Sequence, residues 1–318
     1  YIEQLLEKSS PQMPVWSIEK IKEGKESTWN YMDGCMIKAI LELYHITKNE
    51  KYLEFADAFI DYFVQEDGSI TSYDPKEYNL DNVNAGKTLF DLYELTGREK
   101  YRKAIDTVYS QLKGQPRTTT GNFWHKMIYP NQIWLDGLYM AQPFYMQYEV
   151  TYNNSTNCKD CYQQFVNVYN LMRDLRNGLY YHAYDDSRTS FWCDKVTGLS
   201  DNFWLRALGW YAMALIDTME VMPEETLGSE KKEMNRIYKE LIDSMLPYQD
   251  EETGMWYQVV NRGGIHPNYL ETSGSAIFAY AIMKSVRLGF LDGSYFAYGK
   301  KAFEGICRTY LSEENGEL

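Results

Sequence analysis

The stretch from Gly121 to Phe144, GNFWHKMIYPNQIWLDGLYMAQPF, sets His125, Lys126 and Asp136 among Phe123, Trp124, Tyr129, Trp134, Tyr139 and Phe144. Aromatic faces cover the apolar faces of sugar rings, and a few convergent charges orient such a ligand and move protons, so this mixture reads as the wall of a carbohydrate site. Each ring taken singly fits a core better, because large aromatics mostly supply burial. The charges favour a cleft, because enclosed charges need partners or water. Asp136 lies several residues beyond the cap-like Asn131, after Trp134 and Leu135, where an enclosed carboxylate is costly without a task. Asp81 precedes it by fifty-five positions, just after Asn79, and reads as well as a first-turn residue that favours the helix dipole. Two carboxylates facing one cavity would do acid/base work. A helix start lowers a carboxyl pKa, so a general acid here needs the second carboxylate and a poorly hydrated aromatic pocket to raise it. Asp136 is the expected proton-transfer residue and Asp81 its substrate-binding partner.

A second constellation runs from Tyr180 through His182 to Arg188 and on to Asp201–Tyr211, the segment DNFWLRALGWY. Arg206 and Trp210 are four apart, hence on one helix face, and an Arg beside an indole suits a carboxylate-bearing ring. An ion pair between Arg206 and a structural Asp is the plain alternative. Asp185, Asp186 and Arg188 read as turn residues of a loop.

The elements that must position these groups announce themselves by an internal repeat. The segment LELYHITKNEKY at 41–52 aligns with FDLYELTGREKY at 90–101, forty-nine residues later, each copy being helix end, turn and helix start. A period near fifty with two helices per copy is the mark of stacked helical hairpins. Met32, Met36, Ile37, Ile40, Leu41 and Tyr44 keep helical spacing, as do Tyr52, Phe55, Ala56, Phe59, Ile60 and Phe63. Cap and breaker signals predict helices near 1–10, 28–48, 50–66, 81–96, 98–113, 132–150, 160–176, 201–221, 230–248, 269–288 and 293–312. Short strand pieces are expected around Tyr180–Tyr184 and Met255–Val260. Ser27, Asn79, Asn131, Ser200 and Asn268 are the expected caps of alternate helices, whose starts would ring one end of a closed toroid. Six hairpins close such a toroid, so the expectation is a single all-α domain over 1–318 that stops before its last helix, at Gly316-Glu317-Leu318.

Composition excludes several function classes. A chain of 318 residues, 44% hydrophobic and 16% aromatic, with no Pro/Gly/Ser-rich linker, can build a large core and is not a disordered chain. Its net charge of -13 repels phosphate backbones and anionic membrane surfaces, so neither nucleic acid nor membrane is an expected partner. The five cysteines are an odd number, and Cys158 and Cys161, though at redox or zinc spacing, have no second Cys/His pair. With four histidines and no HExxH spacing, no metal and no cofactor is expected. The chain begins at Tyr1 without Met, which leaves the compartment open between periplasm and cytoplasm.

With WHKMIYPNQIWLDGLYMAQPF, YNLDNVNAGKTLFDLYELTG, GLYYHAYDDSR and NFWLRALGWYAMAL in this chain, it resembles the unsaturated rhamnogalacturonyl hydrolases of glycoside hydrolase family 105 over nearly its whole length. The resemblance implies an (α/α)6 barrel of bacterial origin that removes a 4,5-unsaturated uronic acid from the non-reducing end of lyase-generated pectin oligosaccharides. It makes the WLDG aspartate, Asp136, the acid/base, and the LDN aspartate, Asp81, a binder of sugar hydroxyls. His125, Trp134, His182, Arg206 and Trp210 match substrate contacts, and Trp29 and Tyr31 in WNYMDG another part of the wall. Two other functions are weighed beside it: an inverting glycosidase that uses Asp81 and Asp136 on saturated substrates, and a non-catalytic sugar-binding toroid.

Overall fold

Long amphipathic runs punctuated by Asn, Gly and Pro form thirteen α-helices among residues 1–312, the part of the chain described in this computed structural model. The expected break at Gly316-Glu317-Leu318 lies outside the described residues. The chain packs as two compact units, one from Tyr1 to Gln115 and one beginning at Pro116.

In the first unit, α1 (Ile2–Glu7) and α2 (Ile18–Lys22) precede the hairpin of α3 (Tyr31–Thr47) and α4 (Glu50–Phe63), then the short α5 (Asp81–Asn84) and the hairpin of α6 (Lys87–Thr96) and α7 (Glu99–Gly114). The repeat seen in the sequence is these two hairpins. Each turns through one left-handed residue, Lys48 at φ 55° and Gly97 at φ 67°, which stops the helix by carrying the chain out of its path. The expected helix 81–96 is divided into α5 and α6, and α2 was not foreseen. Ser27 does not cap α3. That task falls to Asn30, whose side chain accepts from the Asp33 N–H. Ser27 instead donates its hydroxyl to the buried Asp33 carboxylate, which also accepts from the Trp16 indole and the Asn30 amide and so ties residues 16–30 to α3.

In the second unit α8 (Leu135–Tyr152), α10 (Leu205–Val221) and α12 (Thr272–Arg287) pack in a row, and α9 (Cys158–Met172), α11 (Glu224–Met245) and α13 (Phe296–Tyr310) are their hairpin partners. Two glycines allow α10 and α12 to approach closely: a Cβ at Gly209 would lie 2.9 Å from the Ile277 side chain, and one at Gly274 only 2.5 Å from that of Leu205. Two small antiparallel sheets connect the helices, β1 (Gln132–Trp134) with β2 (Ala183–Asp185), and β3 (Trp256–Tyr257) with β4 (Leu270–Glu271).

Those pairings explain why three helices start later than their periodicity predicts. Trp134, Trp204 and Glu271 are extended residues bridged to a neighbouring segment, and only the next residue is helical. Asn131 and Ser200 are therefore not caps, and α12 is capped by the Glu271 carboxylate, which accepts from Ser273 and Gly274, rather than by Asn268. Asn268 pins its own loop by exchanging hydrogen bonds with the Val259 backbone. Asn79 does accept from the Asp81 N–H at 3.1 Å. The helix expected at 230–248 begins earlier, at Glu224 directly after Pro223, and ends at Met245.

All five cysteines are free thiols. Cys158 and Cys161 are buried on α9, and burial pushes both thiols above their ordinary range, which disfavours the thiolate that redox chemistry needs. Among the described residues no helix is long and apolar enough to cross a membrane.

Asp185 closes β2 with no exposed surface, and its carboxylate accepts the backbone N–H groups of Ser187, Thr189 and Ser190 together with the Ser187 hydroxyl. Burial alone would raise its pKa, but these donors hold it at about 2. A carboxyl depressed in the folded state stabilises the fold above its unfolded value, near 4, and loses that contribution as pH falls toward 2. Asp185→Asn should therefore be less stable than wild type by about 2–4 kcal/mol at pH 7. Urea unfolding at pH 7 and pH 3 should show the gap narrowing at the lower pH. An equal gap at both would refute this account.

Candidate functional site

The site residues of the second unit collect at the starts of α8 and α10. The β1–β2 register places Trp134 opposite Ala183, and the Leu135 N–H, first of α8, donates to the His182 carbonyl at 3.0 Å. His182 is thereby fixed beside the helix turn that carries Asp136. Its ring meets Trp134 edge-on at 6.3 Å and Trp204 edge-on at 6.1 Å, so one imidazole spans the indoles that precede α8 and α10. Burial holds the His182 pKa below its ordinary value, with only an Asn202 backbone hydrogen bond opposing, and the ring is neutral at pH 7.

On the other side, Trp134 carries two stacked rings, His125 at 4.9 Å and Tyr129 at 5.3 Å. His125 is buried, and its backbone N–H donates to the Gln132 carbonyl at the start of β1. The motif WHKMIYPNQIW thus folds back on itself so that its rings stack. Asp136 follows at the second position of α8, half-buried, while Leu135 and Gly137 on either side are buried.

Arg206 occupies the corresponding position of α10. Its guanidinium lies over the Trp204 ring at 4.4 Å. The indole beside it is therefore Trp204, where sequence spacing pointed to Trp210. Side chains lean toward a helix's N-terminus, so a residue in the first turn reaches back over the preceding loop. Trp210 instead stacks on Tyr139 of α8 at 4.9 Å and 21°, which ties the two helices together one turn further in. No ion pair engages Arg206 among the described residues. Asp185 and Asp186 act as loop residues, as expected: Asp186 accepts from the backbone and hydroxyl of Thr119.

Trp29, Tyr31 and Asp81 belong to the first unit. Trp29 is 3% exposed and packs edge-on against Phe63, while its indole donates to the Asn82 carbonyl at 2.8 Å. It offers no open ring face and instead holds the turn of α5. Asn84, on the same turn, donates to the Tyr31 carbonyl at 3.0 Å. Asp81 and Tyr31 are both half-buried on the two segments so joined.

Sequence reasoning passed over Trp204, Trp192 and Gln258. Trp204 was legible as the tryptophan two positions before Arg206, which repeats the spacing of Trp134 to Asp136. Trp192, 6.3 Å from the His182 ring, sits in a loop with no periodic signal.

The model of Glycosyl Hydrolase Family 88 matches residues 3–318. A Clostridium acetobutylicum glycoside hydrolase from family 105 has a solved structure that is 40% identical, aligns with a TM-score of 0.89, and is covered over 84% of its length by 95% of this chain. The unsaturated rhamnogalacturonyl hydrolase YesR of Bacillus subtilis is 26% identical over 296 residues, 91% of this chain and 78% of that protein. Protein Atu3128 of Agrobacterium fabrum is 35% identical over 182 residues, 56% of this chain and 76% of that protein. The fold class is thus the expected all-α (α/α)6 class.

Proposed function

We propose that this chain, which belongs to the glycosyl hydrolase family 88 and 105 enzymes, removes a 4,5-unsaturated uronic acid from the non-reducing end of oligosaccharides left by polysaccharide lyases, rhamnogalacturonan fragments foremost. The observation that carries this reading is Arg206, a half-buried cation with no ion pair among the described residues, laid over the Trp204 ring in the helix position that matches Asp136 on the neighbouring helix. A planar guanidinium backed by an indole suits a ring that bears a carboxylate. The similarity to YesR points to the same substrate class.

In the proposed reaction the Asp136 carboxyl gives its proton to C4 of the vinyl ether while water attacks C5. The water's second proton returns to Asp136. The hemiketal so formed opens by breaking its C5–ring-oxygen bond, which leaves a ketone at C5 and a hemiacetal at C1 that expels the neighbouring sugar. One water is consumed and no glycosyl-enzyme bond forms, unlike the retaining two-carboxylate scheme. Trp134, His182 and Trp210 line the sugar in the second unit, with His125 buried behind Trp134, and in the first unit Trp29 positions the turn that carries Asp81. The neutral His182 gives its one ring N–H to the Asn202 backbone, so its other ring nitrogen can accept a hydrogen bond from a sugar hydroxyl.

Incubation with a lyase-generated unsaturated disaccharide should abolish the ultraviolet absorbance of its conjugated double bond and release the neighbouring sugar, with the saturated counterpart untouched. Release from the saturated substrate would favour the inverting glycosidase. Binding of either sugar without release would favour the non-catalytic toroid.

A further inference from the structure

The turn that fixes His182 occurs three times among the described residues of the second unit, closed by Gly178, Gly198 and Gly254, and the first and third of these lead to a helix start. Gly178-Leu179-Tyr180-Tyr181-His182-Ala183 and Gly254-Met255-Trp256-Tyr257-Gln258-Val259 align without a gap. Both glycines are left-handed, at φ 78° and 75°. The Gly178 N–H donates to the Asp174 carbonyl and the Asp174 N–H to Leu179, each at 2.8 Å; Gly254, Asp250 and Met255 repeat both bonds at the same distances. Tyr180 and Trp256 are then both buried at the same step.

The equivalence extends to the helix starts. Leu135, first of α8, donates to the His182 carbonyl at 3.0 Å, and Leu205, first of α10, to the Gln258 carbonyl at 2.8 Å. Trp134 pairs with Ala183, and Trp204 with Val259. Gln258 therefore stands to Trp204 and Arg206 as His182 stands to Trp134 and Asp136. Its neighbour Trp256 is buried, but Gln258 is half-exposed, and its side-chain amide hydrogen-bonds to no described residue.

From this we infer that Gln258 is a substrate-binding residue, whose side-chain amide N–H donates to the carboxylate of the uronyl ring beside the Arg206 guanidinium. The inference rests on the function proposed above and adds a second, neutral donor for the same anionic group. An amide supplies direction without a second charge, and its hydrogen bond to an ionised acceptor is among the stronger ones.

The test uses the full chain and two forms of the unsaturated disaccharide, the free acid and its uronyl methyl ester. For the acid, Gln258→Ala should raise KM roughly 10- to 100-fold, the range for a lost hydrogen bond to a charged group, with kcat within a few-fold. Gln258→Glu should be worse than Gln258→Ala, because a second carboxylate then faces the first. For the ester, wild type and Gln258→Ala should have similar KM values. An unchanged KM for the acid, an equal loss on acid and ester, or a Gln258→Glu variant as good as wild type would each overturn the inference while leaving the activity intact. A wild type that turns over neither form overturns the proposed activity, and this inference with it.

Discussion

Asp136→Asn should lower kcat on an unsaturated disaccharide by about three orders of magnitude, within the range usual for removal of a general acid/base, and leave KM within a few-fold. Asparagine has nearly the same shape and keeps the first turn of α8, so Leu135 still donates to His182 and Trp134 still stacks on His125. What it lacks is a transferable proton. Progress of the conjugated absorbance gives the rate, and unchanged unfolding shows that the fold is intact. A variant that retains a tenth or more of wild-type kcat would remove Asp136 from the proton step.

Arg206→Ala should raise KM for the same substrate by about 100-fold or more, the cost of leaving a bound carboxylate without its partner in a half-buried site. Arg206→Lys should recover only part of the loss. A lysine keeps the charge but lacks the planar fork, and it cannot lie as a plate on Trp204, where the guanidinium now sits at 4.4 Å. Trp204→Ala should weaken binding in the same direction, though less. If the methyl ester of the substrate lost as much affinity as the acid in Arg206→Ala, the residue would be contacting some group other than the carboxylate.

Both aspartates, the two histidines of the second unit's ring cluster and the arginine were legible as candidates from residue type alone, since carboxylates and imidazoles among many rings have few structural uses. The hairpin repeat at 41–52 and 90–101 was equally legible, because helical amphipathicity and a turn residue are local signals. Helix starts were misread wherever the preceding residues were extended. Trp134, Trp204 and Glu271 pair with segments between about fifteen and fifty-five residues distant, and no local propensity records such a bond. For the same reason the partner of Arg206 was taken from helix spacing as Trp210, when the backward lean of a first-turn side chain sets it on Trp204.

By itself, then, the sequence determined an all-α hairpin fold, an acidic chain unsuited to nucleic acid, and the residue types of a sugar site. The tertiary structure decided which of those residues are held together. It closed the His182 carbonyl onto α8 and the Gln258 carbonyl onto α10, buried Trp29 as a packing residue, and laid Arg206 over Trp204. The physical reason is that hydrogen bonds between distant backbone groups, and the burial that goes with them, depend on where the whole chain has packed, whereas helix periodicity and side-chain chemistry are properties of a few neighbouring residues.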